Sequence, residues 1–174
     1  MLTSDFILAT LADGLFAAIA GTGFAIISNP PRKALLISAF LACVGHGVRF
    51  FLTHYELIQM NLASASTLAA LTIGFLAIPF AIYIKCPAEV FAFPSLLPMV
   101  PGLFAYKTVI ALIKMVQSSA EADTAQYVVQ FFHNGITTVL VMFGLVVGAV
   151  IPIFIFHRQS FSVTRPVIMK KRGN

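Results

Sequence analysis

Five stretches of this chain are apolar for long enough to cross a lipid bilayer, and polar or charged turns separate them. The hydrocarbon core of a bilayer is about 30 Å thick and takes about 20 helical residues to cross. Within it, backbone N–H and C=O groups must be bonded inside the protein, so runs of this length read as helices. The first covers about Phe6 to Ile27 and stops at Asn29-Pro30-Pro31-Arg32-Lys33. The second runs from about Ala34 to Leu52, before the turn Thr53-His54-Tyr55-Glu56, and the third from about Leu62 to Ile84, ending at Lys85-Cys86-Pro87. A fourth unit covers about Ala88 to Val116, and a fifth runs from about Gln126 to Phe156 after the acidic turn at 118–123. The predicted fold is an all-α integral membrane protein with about five transmembrane helices.

The fourth unit is the odd one. Phe93-Pro94-Ser95-Leu96-Leu97-Pro98-Met99-Val100-Pro101-Gly102 puts three prolines and a glycine in the middle of an apolar stretch. Each proline lacks a backbone donor and obstructs a helical hydrogen bond, and glycine accepts backbone angles that other residues resist. This span is therefore predicted to be broken. Unwound backbone at membrane depth is tolerated only where protein or a wet cavity covers it. Transporters commonly build substrate or ion sites at such breaks, near the midplane. A proline-rich loop at the membrane surface is the alternative reading, and a re-entrant hairpin the other.

Composition removes the soluble classes. Only 10% of the residues are charged and 59% are hydrophobic, against about 25% charged in an ordinary soluble domain. The formal charge of +5 does not imply a nucleic-acid partner, because the basic residues sit mainly at the ends of apolar runs. That placement reports orientation in the membrane. Arg32 and Lys33, then Lys85, then the tail residues Arg158, Arg165, Lys170, Lys171 and Arg172 fall at alternate ends of successive spans. Five crossings put them all on one side, with the N-terminus outside and the C-terminus in the cytoplasm. The start of the chain lacks a basic n-region, so the first apolar run is expected to stay in the mature protein. Residues 1–157 read as one membrane domain and 158–174 as a basic cytoplasmic tail. Cys43 and Cys86 have no metal spacing and read as unpaired thiols.

Polar residues inside spans usually face a bundle interior or a water path. Asp13 lies in the first span, on a face continued by Ala17, Ala20, Gly21 and Phe24. Ser38, Ala42, His46 and Arg49 share a face of the second, with His46 at nearly the depth of Asp13. Adjacent antiparallel helices bring Asp13 against His46 or Arg49, either as a structural pair or as a functional one. Lys107 and Lys114 share a face after the break, Lys114 close enough to a helix end to snorkel. The last helix carries Gln130, His133 and Asn134 as a polar stripe, with Gly144 and Gly148 further in as a packing pair. Gly21-Thr22-Gly23 superficially suggests a dinucleotide loop, but no strand precedes it. The sequence contains no HExxH, GxSxG or Walker loop, and no nucleophile with an attendant base. No enzyme, cofactor or metal is called for.

Two stretches carry a resemblance. Gly23-Phe24-Ala25-Ile26-Ile27-Ser28-Asn29 leading to Arg32-Lys33-Ala34-Leu35, followed by Gly45-His46-Gly47-Val48-Arg49, resembles the small YjjB-type subunit of the threonine/serine exporter family. Pro98-Met99-Val100-Pro101-Gly102-Leu103-Phe104-Ala105-Tyr106 is similar to that family's PxxPG signature. The resemblance runs to about Phe156 and implies transport in the bacterial inner membrane. Fused members of the family export threonine and serine; split members pair a small subunit with a larger one and are associated with succinate export. It therefore implies a larger membrane partner and a small carboxylate substrate, with succinate or a related dicarboxylate expected first and threonine or serine second. A non-transporting scaffold subunit is the alternative of a different class. On membrane physics and motif position, the expected substrate contacts are Arg49, Lys107, Pro98, Pro101 and Gly102. Asp13 and His46 are the expected proton-coupling or ion pair, and Gln130, His133 and Asn134 a polar pathway.

Overall fold

The computed structural model describes residues 4–118 and 121–156, and every regular element within them is a helix. The long helices are α1 (Ser4–Ile27), α2 (Arg32–His54), α3 (Leu62–Ile84) and α6 (Glu121–Ile155). Between α3 and α6 lie the short α4 (Glu89–Leu96), a 3-10 turn (Leu97–Met99) and α5 (Gly102–Gln117). Four helices are long and apolar enough to span a membrane by themselves; α4 with its turn and α5 together make a fifth candidate, bent by 50°. The basic tail predicted for 158–174, and Ser119-Ala120 of the acidic turn, lie outside the described residues. Residues 121–123, expected in that turn, instead begin α6.

Small residues decide how the helices meet. Gly14 of α1 lies against Cys43 of α2, and Gly21 against Ala42, so close that an added Cβ would sit 3.0 and 2.7 Å away. These pairs, with Phe6 near Phe50 and Phe51, make α1 and α2 an antiparallel hairpin. Gly45 against Ile73 and Phe40 against Phe80 set α3 antiparallel to α2. Gly144 of α6 sits on Thr67 and Ala63 of α3, Gly148 on Thr67 and Ala70, and Gly74 of α3 on Ala149 and Pro152. Residue numbers rise together along this seam, so α3 and α6 run parallel. The chain must therefore return to its starting side between them. A single bent crossing by α4 and α5 does this, whereas a re-entrant hairpin would leave α6 antiparallel to α3.

α4 fills the junction of α1, α2 and α3. Phe91 and Met99 are fully buried there with Leu41 and Ile73. Ser95 donates to the carbonyl of Ser38 across the α2 contact, and Ser38 donates to Ala34 one turn back. Both hydroxyls thus find acceptors where water is absent, as buried polar groups must. α5 has another setting. It packs on α6, through Thr108 against Gly135 and Lys114 over the ring of Tyr127, and buries only Ala111. At 1.5 Å per residue α6 is about 50 Å long, well beyond a hydrocarbon core. Its second half packs on α3 and its first half on α5.

Two expectations about the break need correction. Pro94 does not break the span: it lies buried inside α4, and its carbonyl accepts from Leu97 N–H. Nor does Gly102 use glycine's freedom, since none of the described glycines has positive φ, and Gly102 simply opens α5 with empty space around it. The break is confined to Pro98–Pro101. The left-handed positions fall at Asn29, Gln59 and Lys85, and that of Lys85 caps the end of α3.

Candidate functional site

The break leaves carbonyl groups without helical donors, and the side chains of α2 take them up. In a continuous helix the Pro98 carbonyl would accept from the N–H of residue 102. Here the Gly102 N–H turns back to Val100 at 2.8 Å. Arg49 Nη1 donates to the freed carbonyl of Met99 at 3.1 Å, and the carbonyl of Pro98 lies 3.2 Å from His46 Nε2. On the other side of the ring, His46 Nδ1 is 2.6 Å from Asp13 Oδ2 of α1. Arg49 Nη2 reaches the same imidazole, 3.0 Å from Nε2. Asp13, His46, Arg49 and the break at Pro98-Met99 form one connected cluster between three elements.

Helical spacing explains why α2 presents both groups. His46 and Arg49 are three apart and so neighbours on one face. Gly45 beside them lets α3 approach, and the small face of α1 lets Asp13 come within hydrogen-bonding reach. Asp13 is nine residues into α1 and His46 eight from the end of α2, so both sit about 12–14 Å from their helix ends. The His46 side chain is 10% exposed and that of Asp13 33%, so the pair is open on the aspartate side. Arg49 is half-buried. Among the described residues, Arg49 has no carboxylate within ion-pair distance; its bonds go to a carbonyl and an imidazole.

The Arg49 contact bears on which imidazole nitrogen carries the hydrogen. A guanidinium only donates, so a neutral imidazole bonded to Arg49 accepts at Nε2 and carries its hydrogen on Nδ1. Nδ1–H donates to Asp13, whose carboxylate accepts. The arrangement gives a cation held by neutral acceptors next to a carboxylate–imidazole pair. Chemically it can bind an anionic group and hold or release a proton.

The remaining residues singled out in the sequence lie elsewhere. Pro101 is buried and Gly102 exposed at the start of α5. Lys107 is exposed on α5, which packs on α6 and not on α2, and it joins no bond of the cluster. Asn134 is nearly buried, but its amide donates to Gln130 in its own helix. Gln130 and His133 are exposed on the first half of α6. His133 helps line a cavity of about 600 Å³ between the start of α3, Phe104 and α6, with Asn61, Thr67 and Thr137 among its walls. That cavity shares no residue with the cluster. No group of three or more metal-binding side chains occurs among the described residues.

Sequence reasoning missed the Met99 carbonyl. Its signal was available: a proline at 101 followed by a turn releases acceptors just before it. Which side chain would collect them was not readable, because that depends on how α2 lies against the break. The Ser95–Ser38 bond that anchors α4 was missed for the same reason.

Residues 13–155 match the family model described as threonine/serine exporter, ThrE, a match that includes every residue of the cluster and all of α6. An uncharacterized protein of Haemophilus influenzae is 36% identical over 155 residues, which cover 89% of this chain and 50% of that protein. The chain thus spans about half the length of that curated relative. No solved structure matches. With the family model covering most of its length, this multi-pass membrane chain belongs to the threonine/serine exporter family.

Proposed function

We propose that this chain is one half of an exporter and that Arg49 is its contact for a substrate carboxylate. The observation that carries the reading is the half-buried guanidinium whose hydrogen bonds, among the described residues, go to the Met99 carbonyl and the His46 imidazole and to no carboxylate. Charged groups at membrane depth are costly and rarely kept without a use. A guanidinium bound to neutral acceptors gains more from a carboxylate, which it can grip with two parallel bonds. Opposite it, Asp13 is open to approach and offers an anion for an ammonium group. One cation and one carboxylate flanking an imidazole suit a zwitterionic amino acid, and threonine or serine also fits the family's description. Succinate, expected first from the split-subunit resemblance, needs a second cation. Lys107 would have to supply it, by a movement of α5.

In this reading the Asp13–His46 pair carries the proton, and the bend at Pro98–Pro101 is where one part of the half rocks against the rest. The half-length match to the Haemophilus protein fits a second unit working beside this half, which we take to be its membrane partner. The positive-inside pattern supports an inner-membrane protein with the N-terminus outside and the tail in the cytoplasm.

The test is uptake and release of labelled threonine, serine and succinate by sealed vesicles holding this chain, its proposed partner, or both. Threonine or serine movement that needs both chains, and is lost in Arg49→Gln while the complex still assembles, is the expected result. Succinate movement alone would replace the amino-acid reading with the dicarboxylate one. Undiminished transport by Arg49→Gln would remove Arg49 from the site and favour a scaffold role for this half.

A further inference from the structure

We infer that Arg49 and a proton are alternative occupants of one atom, His46 Nε2, so that a carboxylate on Arg49 and a proton on His46 bind together. This rests on the reading of Arg49 as the carboxylate contact, but its first test needs no substrate. Nε2 has two neighbours within hydrogen-bonding distance, Arg49 Nη2 at 3.0 Å and the Pro98 carbonyl at 3.2 Å. One can only donate and the other can only accept. A neutral Nε2 therefore satisfies Arg49 and leaves Pro98 without a bond. A protonated Nε2 satisfies Pro98, but then faces Arg49 with donor against donor and cation against cation. Both bonds cannot exist at once.

The proton comes from water, forms the Nε2–H bond, and returns to water when Arg49 comes back. Nδ1–H donates to Asp13 in either state, so Asp13 holds the ring in place through the exchange. The groups facing His46 are few. From α1 there is Asp13; from α2, Arg49 and, one turn before, Cys43. The break supplies only the carbonyls of Pro98 and Met99. α3 approaches through Ile73 and has no charged residue between Leu62 and Ile84. α4 has Glu89, at its far end. Among the described residues no other cation stands ready to take over from Arg49.

A carboxylate that draws Arg49 off His46 removes the competing donor and adds negative charge nearby, and both effects favour the proton. Arg49 keeps a partner throughout, first the imidazole and then the substrate. Proton and carboxylate accordingly favour each other's binding, each raising the site's affinity for the other by the same factor.

The experiment is nitrogen NMR of the full chain in lipid nanodiscs, with labelled histidine and arginine, His46 being assigned by its absence in His46→Gln. The expected neutral form has its hydrogen on Nδ1 and a coupling between His46 Nε2 and Arg49 Nη2 that disappears as His46 becomes doubly protonated. In Arg49→Gln, the ratio of doubly protonated to neutral His46 at fixed pH should rise about tenfold, the effect of removing one close like charge. A neutral form with its hydrogen on Nε2, or an Arg49 coupling that survives protonation, overturns the proposal. These wild-type readouts decide it even where Arg49→Gln does not fold. Succinate, a pure anion, is then added at fixed pH; threonine is the weaker probe because its ammonium competes for Asp13. A bound carboxylate that leaves His46 unchanged refutes the linkage and leaves the transport reading intact. Failure of either solute to bind counts against the substrate reading alone, since the hydrogen position and the coupling are read without them.

Discussion

Replacing Gly148 by alanine tests the seam that makes α3 and α6 parallel. A Cβ at this position would lie 2.5 Å from the Thr67 carbonyl oxygen, 2.9 Å from Ala70 Cβ and 3.1 Å from Leu71 N. Two of these three atoms are backbone, so no side chain can rotate away. The helices must part by about 1 Å to restore ordinary contact, and overpacking of this kind costs about 1–3 kcal/mol. The upper end applies here, because separating the helices at Gly148 also loosens Gly144 from Thr67 and Gly74 from Pro152. Alanine returns about 1 kcal/mol through its better helix propensity, leaving a net loss of about 2 kcal/mol by the same scales. Gly23→Ala is the matched control, since nothing lies within 4 Å of its added methyl and the same propensity term should raise stability by up to about 1 kcal/mol. Thermal unfolding of the two variants in one detergent, followed by circular dichroism, reads the difference. Gly148→Ala should melt several degrees below the wild type and Gly23→Ala at or slightly above it. A Gly148→Ala protein as stable as Gly23→Ala would refute the reasoning, because the close α3–α6 approach would then not exist in the membrane protein.

Three further predictions concern the ends of the helices. With five crossings, single cysteines at Leu57 and Ser118 should react with an impermeant maleimide from one side, and those at Ser28 and Lys85 from the other; Ser118 grouping with Lys85 would restore the re-entrant hairpin. Asn61 caps α3 by accepting from Ser64 N–H at 2.8 Å, so Asn61→Ala should lower thermal stability by about 1 kcal/mol, and no change would mean that water serves the cap as well. Cys86, between α3 and α4, titrates above the ordinary thiol range, chiefly through burial and secondarily through Glu89. Raising a thiol's pKa reduces the thiolate at any given pH. Alkylation of Cys86 in a Cys43→Ala background should therefore need a higher pH than a free thiol, with Glu89→Gln recovering a minor part; reaction at the pH of a free thiol would contradict the burial.

How much of the site was legible depends on the kind of interaction. Asp13, His46 and Arg49 stand out in sequence because ionisable groups inside apolar runs are costly, and their depths match once helices are counted at 1.5 Å per residue. That Asp13 bonds His46 and leaves Arg49 to the Met99 carbonyl and the imidazole could not be read, because either pairing has the same spacing. Pro94 misled for a related reason: a proline ends a helix only where the lost bond is not replaced. Buried in α4, its ring is accommodated, and the break passes to Pro98–Pro101. The register of Gly144 and Gly148 was visible as small-residue spacing, but the partner, and hence the parallel direction, was not.

Hydrophobicity, run length and the placement of Arg32, Lys33 and Lys85 determined that this chain is a helical membrane protein with a broken fourth span. These are local properties, and the bilayer acts on each segment almost independently of the others. Only the tertiary structure decided that α3 and α6 run in parallel, that α4 enters the bundle while α5 leaves it for α6, and that one imidazole nitrogen stands between an arginine and an open carbonyl. Those facts depend on which faces meet across tens of residues, and a donor or acceptor has no partner until that geometry supplies one.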